Sequence, residues 1–188
     1  MSKQLLILVS GAPGTGKTWL AREVSKRFQI PLLHRDGVKE VLYDHLGWRD
    51  REWSKKLGIA SYRLIEYLLR LQLSSGMSYL VESNFSPEFD TAWLQELQTT
   101  HQLTIIQIYC SCKPEIAIER FIARVESGER HPGHVDQMSR GELETHIRSW
   151  GEKNTPLPLE GTLIHLDTSN FATARYQDVY TGIQNHLT

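Results

Sequence analysis

The sequence predicts an α/β fold: one domain built on a parallel sheet with helical crossovers. Three observations predict it. Apolar runs of strand length alternate with segments of helical spacing along the whole chain. The first run, Leu5-Leu6-Ile7-Leu8-Val9, is apolar at every position, as a strand buried on both faces requires. A glycine-rich stretch, Gly11-Ala12-Pro13-Gly14-Thr15-Gly16-Lys17-Thr18, then separates that strand from a segment of helical periodicity, Trp19 to Phe28.

The remaining elements follow in order. Ile30-Pro31-Leu32-Leu33 is a short second strand ending at His34-Arg35-Asp36-Gly37, with a helix from Val38 to about Leu46. From about Ser54 to Leu73, apolar Leu57, Tyr62, Ile65, Leu68 and Leu69 mark a long amphipathic helix, stopped by Ser74-Ser75-Gly76. Met77 to Glu82 is the third strand, and Ser86-Pro87-Glu88 opens a helix with proline in its first turn. Leu103 to Cys110, rich in β-branched residues, is the fourth strand. Lys113-Pro114-Glu115 starts a helix reaching about Ser127. Gly128 to Gln137, with two glycine breaks and a proline, reads as a mobile loop. Ser139-Arg140-Gly141-Glu142 matches a capping box for a helix reaching Trp150. Thr155-Pro156-Leu157-Pro158 is a stiff connector, Leu163-Ile164-His165-Leu166 the fifth strand, and a last helix covers about Phe171 to His186. No repeat, low-complexity tract or linker interrupts the 188 residues, so a single domain over 1–188 is expected.

Composition narrows the function classes. Hydrophobic residues at 40% and charged ones at 23% are ordinary for a globular chain. A net charge of −1 offers no general field for nucleic acid or an anionic membrane. The start, Met1-Ser2-Lys3-Gln4, lacks the layout of a signal peptide, and no apolar run spans a bilayer. Cys110 and Cys112 are too few for a disulfide framework or zinc site and read as thiols in a reducing cytoplasm.

The glycine-rich stretch fills every fixed position of G-x-x-x-x-G-K-[ST], between a strand and a helix as its physics requires. Its glycines let backbone N–H groups face phosphate oxygens, and the helix N-terminus adds partial positive charge. Lys17 can reach the β- and γ-phosphates, and Thr18 can place its hydroxyl on Mg²⁺. Gly11 to Thr18, with Trp19 directly after, are therefore the candidate nucleotide-binding residues. Several users of such a loop are set aside by missing segments. The guanine-reading N-K-x-D and the L-S-G-G-Q signature of ABC-type ATPases are absent, and the candidate strand ends Leu80-Val81-Glu82-Ser83 rather than in the Asp-Glu expected of a hexameric AAA-type motor.

Three further places resemble the small P-loop kinases: the group of the polynucleotide 5′-kinase domain, zeta toxin, chloramphenicol phosphotransferase, gluconate kinase and many bacterial predicted kinases. They are Asp36 with Lys39 after the second strand, where such kinases usually carry Arg rather than Lys; Leu80-Val81-Glu82-Ser83-Asn84-Phe85; and the arginine-rich segment from Glu119 to His134. The resemblance implies a three-layer P-loop NTPase with a five-stranded parallel sheet, nucleoside-monophosphate-kinase-like, with a lid over about 120–138. It implies an ATP- and Mg²⁺-dependent transfer of the γ-phosphate to a hydroxyl of a small molecule. Lys17 and Thr18 serve the donor, Thr18 and Glu82 the metal, Asp36 is the base, and Arg120, Arg124 and Arg130 are the lid arginines. The acceptor pocket falls at about residues 34–65 and 82–93. Asp167-Thr168-Ser169 fall where related kinases meet the adenine edge.

Plainer readings stay open at each position. Asp36 can cap the following helix. Glu82 can serve the acceptor, or be a buried strand-end carboxylate satisfied by backbone. Arg120 and Arg124, four residues apart, can be a solvated helix face paired with Glu119 and Glu126. His131 and His134 are a weak metal pair. Trp19, Trp48, Trp53, Trp93 and Trp150 read as packing residues, and 167–169 can be a plain turn. Alternative functions are a slow, regulatory ATPase, a kinase of nucleic-acid ends and a toxin kinase.

Overall fold

The computed structural model describes residues 4–134, 139–153 and 155–187. β1 (Leu5–Gly11) is the central strand of a five-stranded sheet of order β2-β3-β1-β4-β5. The others are β2 (Leu32–His34), β3 (Tyr79–Glu82), β4 (Thr104–Ser111) and β5 (Thr162–Asp167). Every pairing is parallel.

Alternation along β1 sends its side chains into two layers. Leu5, Ile7 and Val9 pack with Leu20 and Val24 of α1 (Lys17–Phe28) and with Val179 and Ile183 of α7 (Tyr176–Leu187). Leu6 and Leu8 pack with Ile65, Leu69 and Leu73 of α3 (Arg51–Leu73) and with Leu94 and Leu97 of α4 (Pro87–His101). Helices on both faces explain why the strand is apolar throughout. Each such buried Leu or Ile contributes about 1.5–3 kcal/mol. A third cluster joins Ala117, Ile118 and Phe121 of α5 (Pro114–Glu126) to Leu143 and Ile147 of α6 (Arg140–Lys153). Among the described residues no helix is long and apolar enough to cross a membrane.

The structure moves three expected boundaries. α2 (Arg35–Leu46) begins before Val38, because the His34 side chain accepts from Gly37 N and caps it. Asp36 therefore lies inside the first turn, and the capping role considered for it belongs to His34. The last helix begins at Tyr176 rather than Phe171, and Phe171 lies in the turn before it. Part of the segment expected to be a mobile loop is packed: Pro132–His134 forms a 3-10 turn with Gly133 and His134 buried. Val135, Asp136, Gln137 and Met138, the end of the expected lid, lie outside the described residues. The capping box is present, with Glu142 accepting from Ser139 N at 2.8 Å and Ser139 Oγ accepting from Glu142 N at 3.3 Å.

Candidate functional site

The loop between β1 and α1 turns through left-handed conformations at Gly14 (φ 84°) and Gly16 (φ 77°), which side chains disfavour. Thr15 fastens it, donating from N and Oγ1 to Ala12 O at 3.3 and 2.8 Å. Lys17 and Thr18 open α1, whose N-terminus has no side-chain cap. Those N–H groups can therefore serve an anion. A ring lies directly against the loop: a Cβ at Gly16 would stand 2.8 Å from Phe171 Cε1.

Beneath the loop, Glu82 ends β3 almost fully buried. Three groups converge on its carboxylate. Lys17 Nζ is 3.8 Å from Oε1, while Thr18 Oγ1 donates to Oε2 at 3.2 Å. His34 Nε2 is 2.9 Å from Oε2. A hydroxyl and a carboxylate side by side form a hard-oxygen pair that fits Mg²⁺, which takes one or two protein oxygens plus phosphate oxygens.

Asp36 lies across the cleft, its carboxylate 3.8 Å from Arg35 Nη1 and 3.8 Å from Arg130 Nη1. Burial pushes its pKa up, but Lys17, Arg35, His134 and Arg130 together hold it well below the usual carboxylate range. It is an ionised acceptor throughout the neutral range. With Gly14, Gly16, Lys17, Thr18, Arg22, Arg124 and Arg130, Asp36 lines a cleft of about 440 Å³.

Of the three candidate arginines the cleft gathers Arg124 and Arg130. Arg120 points elsewhere: it donates to Thr168 O at 2.9 Å and Ser169 O at 3.2 Å, and its guanidinium lies 3.7 Å from the Phe171 ring centre. It thus joins α5 to the loop after β5, where Asp167 Oδ1 accepts from Ser169 N at 2.8 Å. Trp19, half exposed, sets its ring edge against Tyr176 at 5.1 Å.

Behind Arg130 the 3-10 turn is fastened to α2. His131 Nε2 is 3.1 Å from Asp44 Oδ1, and His134 Nε2 is 2.9 Å from Glu40 Oε1. The His131 ring stacks on Tyr43 at 5.1 Å, and a Cβ at Gly133 would stand 2.6 Å from the Tyr43 ring. Only glycine fits there. The lysine at the position where the resemblance has arginine, Lys39, is buried and donates to Ser54 Oγ at 3.1 Å, binding α2 to α3.

Sequence reasoning missed His34, Arg22, Arg35 and Phe171. Its position signalled one of them: His34 ends a strand beside Asp36, and ligands in parallel sheets gather at carboxyl ends of strands.

The chain matches the AAA domain family AAA_33 over residues 6–143. A kinase candidate from Chloroflexus aurantiacus has a crystal structure 36% identical to it, with a TM-score of 0.91 over 99% of this chain and 100% of that one. A sugar kinase from Janibacter sp. is 13% identical with a TM-score of 0.59, over 96% and 95% of the chains, and shares the fold. An uncharacterized protein of Mycobacterium tuberculosis is 29% identical over 126 residues, 63% of this chain and 25% of that protein. The chain thus spans a quarter of the length of that curated relative. By family match, sheet order and phosphate loop, the chain belongs to the AAA domain family and has the fold of the small P-loop kinases.

Proposed function

We propose that the protein moves the γ-phosphate of ATP to a hydroxyl of a small molecule, with Mg²⁺ as its metal. The observation that carries this reading is the meeting of Lys17 and Thr18 with Asp36, Arg124 and Arg130 in one cleft. Phosphoryl transfer asks mainly for positioning and for cations around the equatorial oxygens. Lys17 holds the donor phosphates, while Arg124 and Arg130 face the transferring group. Thr18 and Glu82 would hold Mg²⁺, which when bound offsets phosphate charge. Asp36 orients the acceptor hydroxyl and takes its proton. A carboxylate held so far down is a weak base, so proton transfer comes late, as a loose transition state permits.

The lid expected over about 120–138 belongs to a single domain, and its turn at Pro132–His134 is anchored to α2. Arg120, Ser169 and Phe171 offer the adenine a planar, hydrogen-bonding edge beside Gly16. An ATP-consuming chain with free Cys110 and Cys112 suits the cytoplasm. A polynucleotide acceptor finds less support, because carboxylates stand among the cleft's cations: Glu82 beside Lys17, and Asp36 beside Arg35 and Arg130.

The test is incubation with γ-labelled ATP and a panel of hydroxyl compounds. Label on an acceptor in wild type, reduced about 10²-fold or more in Asp36→Asn with ATP binding unchanged, is the expected result. Slow hydrolysis with no labelled acceptor would leave a regulatory ATPase as the better description.

A further inference from the structure

Beside the phosphate cleft, α3 and α4 enclose a second cavity of about 410 Å³. Its lining carries Ile59, Tyr62, Phe89 and Trp93, together with Glu66 and Asp90. Its charged members are already engaged. Glu66 holds Arg63 at 2.6 Å and Arg70 at 3.1 Å. Asp90 Oδ2 accepts from Ser86 N at 2.7 Å, and its Oδ1 accepts from Trp93 Nε1 at 3.1 Å. Tyr62 donates its hydroxyl proton to Asn84 O at 2.5 Å. What remains for a ligand is apolar and aromatic surface. Pockets of this size and lining hold a ligand body by area and shape, with few polar contacts.

One side chain links Tyr62 of this cavity to Asp36 of the phosphate cleft. Arg35 lies over the Tyr62 ring at 4.3 Å and pairs with Asp36 at 3.8 Å. Three buried polar atoms of Arg35 and of the segment Tyr62 bonds to have no hydrogen-bond partner: Arg35 Nε, Ser83 Oγ and Asn84 Oδ1. Such orphans are rare in folded chains.

We propose that this groove seats the body of the phosphate acceptor, and that the acceptor is an alcohol with a flat apolar body rather than a sugar or other polyol. The assignment rests on the kinase reading above. Its hydroxyl passes the Arg35–Tyr62 junction to reach Asp36. There the alcohol oxygen forms a bond to Pγ, and the bond from Pγ to the β,γ-bridging oxygen breaks with its electrons leaving on ADP. The hydroxyl proton goes to the Asp36 carboxylate and then to water. A polyol would bring several hydroxyls to a largely apolar surface whose charged groups are already paired, and would lose hydration with little replacement.

The probe is 2-(2-naphthyl)ethanol, set against glucose, gluconate and glycerol. Phe89→Asp and Ile59→Arg place charge in the groove at side chains 72% and 65% exposed, so the fold is expected to survive. Thermal melting and ATP affinity, both unchanged, verify that. Calorimetry without nucleotide should show the naphthyl alcohol binding wild type and binding each variant about tenfold more weakly or worse. With labelled ATP its kcat/KM should fall in the same proportion. Binding that ignores both substitutions overturns the proposal. So does phosphorylation of a polyol at full kcat/KM by both variants, an outcome that leaves the kinase reading standing. Groove-dependent binding in a protein that phosphorylates no alcohol supports the binding site and defeats the kinase reading instead.

Discussion

His34 and Glu82 are joined at 2.9 Å, from imidazole Nε2 to carboxylate Oε2. The tautomer follows from the other ring nitrogen. Nδ1 faces the Gly37 N–H, which can only donate, so Nδ1 is the acceptor and Nε2 carries the proton given to Glu82. One ring therefore starts α2 and fixes the carboxylate under the phosphate loop.

Two substitutions separate those tasks. His34→Ala should lower stability by about 1 kcal/mol through the lost cap. His34→Asn can keep the cap but presents no matching donor at the Nε2 position. Its melting temperature should stay near wild type while apparent Mg²⁺ affinity falls about 10-fold or more. Magnesium titrations of the rate, beside thermal melts, check this; equal metal dependence in all three proteins would dissociate His34 from the site.

Asp36 gives a pH signature. Its folded pKa is held below the unfolded carboxylate value, so its ionisation favours the native state above about pH 4. That contribution disappears as pH falls through the folded value. Acid unfolding of Asp36→Asn should therefore be less steep below about pH 4 than that of wild type. In the transfer assay the same variant should lose about 10²-fold or more in kcat.

The arginines should divide by role. Arg124→Ala and Arg130→Ala should each slow transfer by on the order of 10³-fold with modest change in ATP affinity. Arg120→Ala should instead raise the KM for ATP and loosen the loop at Thr168 and Ser169, whose carbonyls it holds. Steady-state kinetics on the three variants decide it, and a kcat defect of the same size in all three would refute the division.

The anchored turn should respond to acid. Burial lowers the His134 pKa, helped by Arg130 and opposed by Asp36 and Glu40. The neutral ring is therefore favoured in the folded chain, and its contribution is lost as pH falls below about 6.5 toward the folded value. Amide exchange at Gly133 and His134, corrected for intrinsic rates, should rise over that window. Gly133→Ala should release the turn at every pH, because the new methyl meets the Tyr43 ring.

Thiol chemistry offers a check on the core. Burial pushes the Cys110 thiol up to about 12, and it raises Cys112 as well. At pH 7.5 iodoacetamide should leave Cys110 unmodified until the protein is denatured. Rapid native labelling at Cys110 would contradict the packing of β4 against α1 and α7.

The elements legible in the sequence are those fixed by local chemistry. β1 showed as an unbroken apolar run, Pro87 and Pro114 marked helix starts, and Ser139 with Glu142 formed their reciprocal cap. The start of α2 was hidden because histidine is outside the usual capping residues. Arg120 and Arg124 share a helix face by spacing, yet the structure sends one to the loop after β5 and the other to the cleft. That division depends on where β5 ends, which no window around the arginines contains. The turn at Pro132–His134 had loop composition, and its order comes from Tyr43, far away in the chain. Asp36 is legible through resemblance and its strand-end position, whereas its neighbours Lys17, Arg35, Arg130 and His134 emerge only in three dimensions.

The central place of β1 has a consequence for descent. The phosphate loop hangs from the strand with neighbours on both sides, while Ile59 and Phe89 stand on outer helices, largely exposed and outside the three apolar clusters. Substitutions at those two positions leave the strand and loop intact. With the groove as the proposed acceptor seat, a lineage can retrain that end by surface mutation while inheriting the loop unchanged, so relatives that keep the loop need not share a substrate.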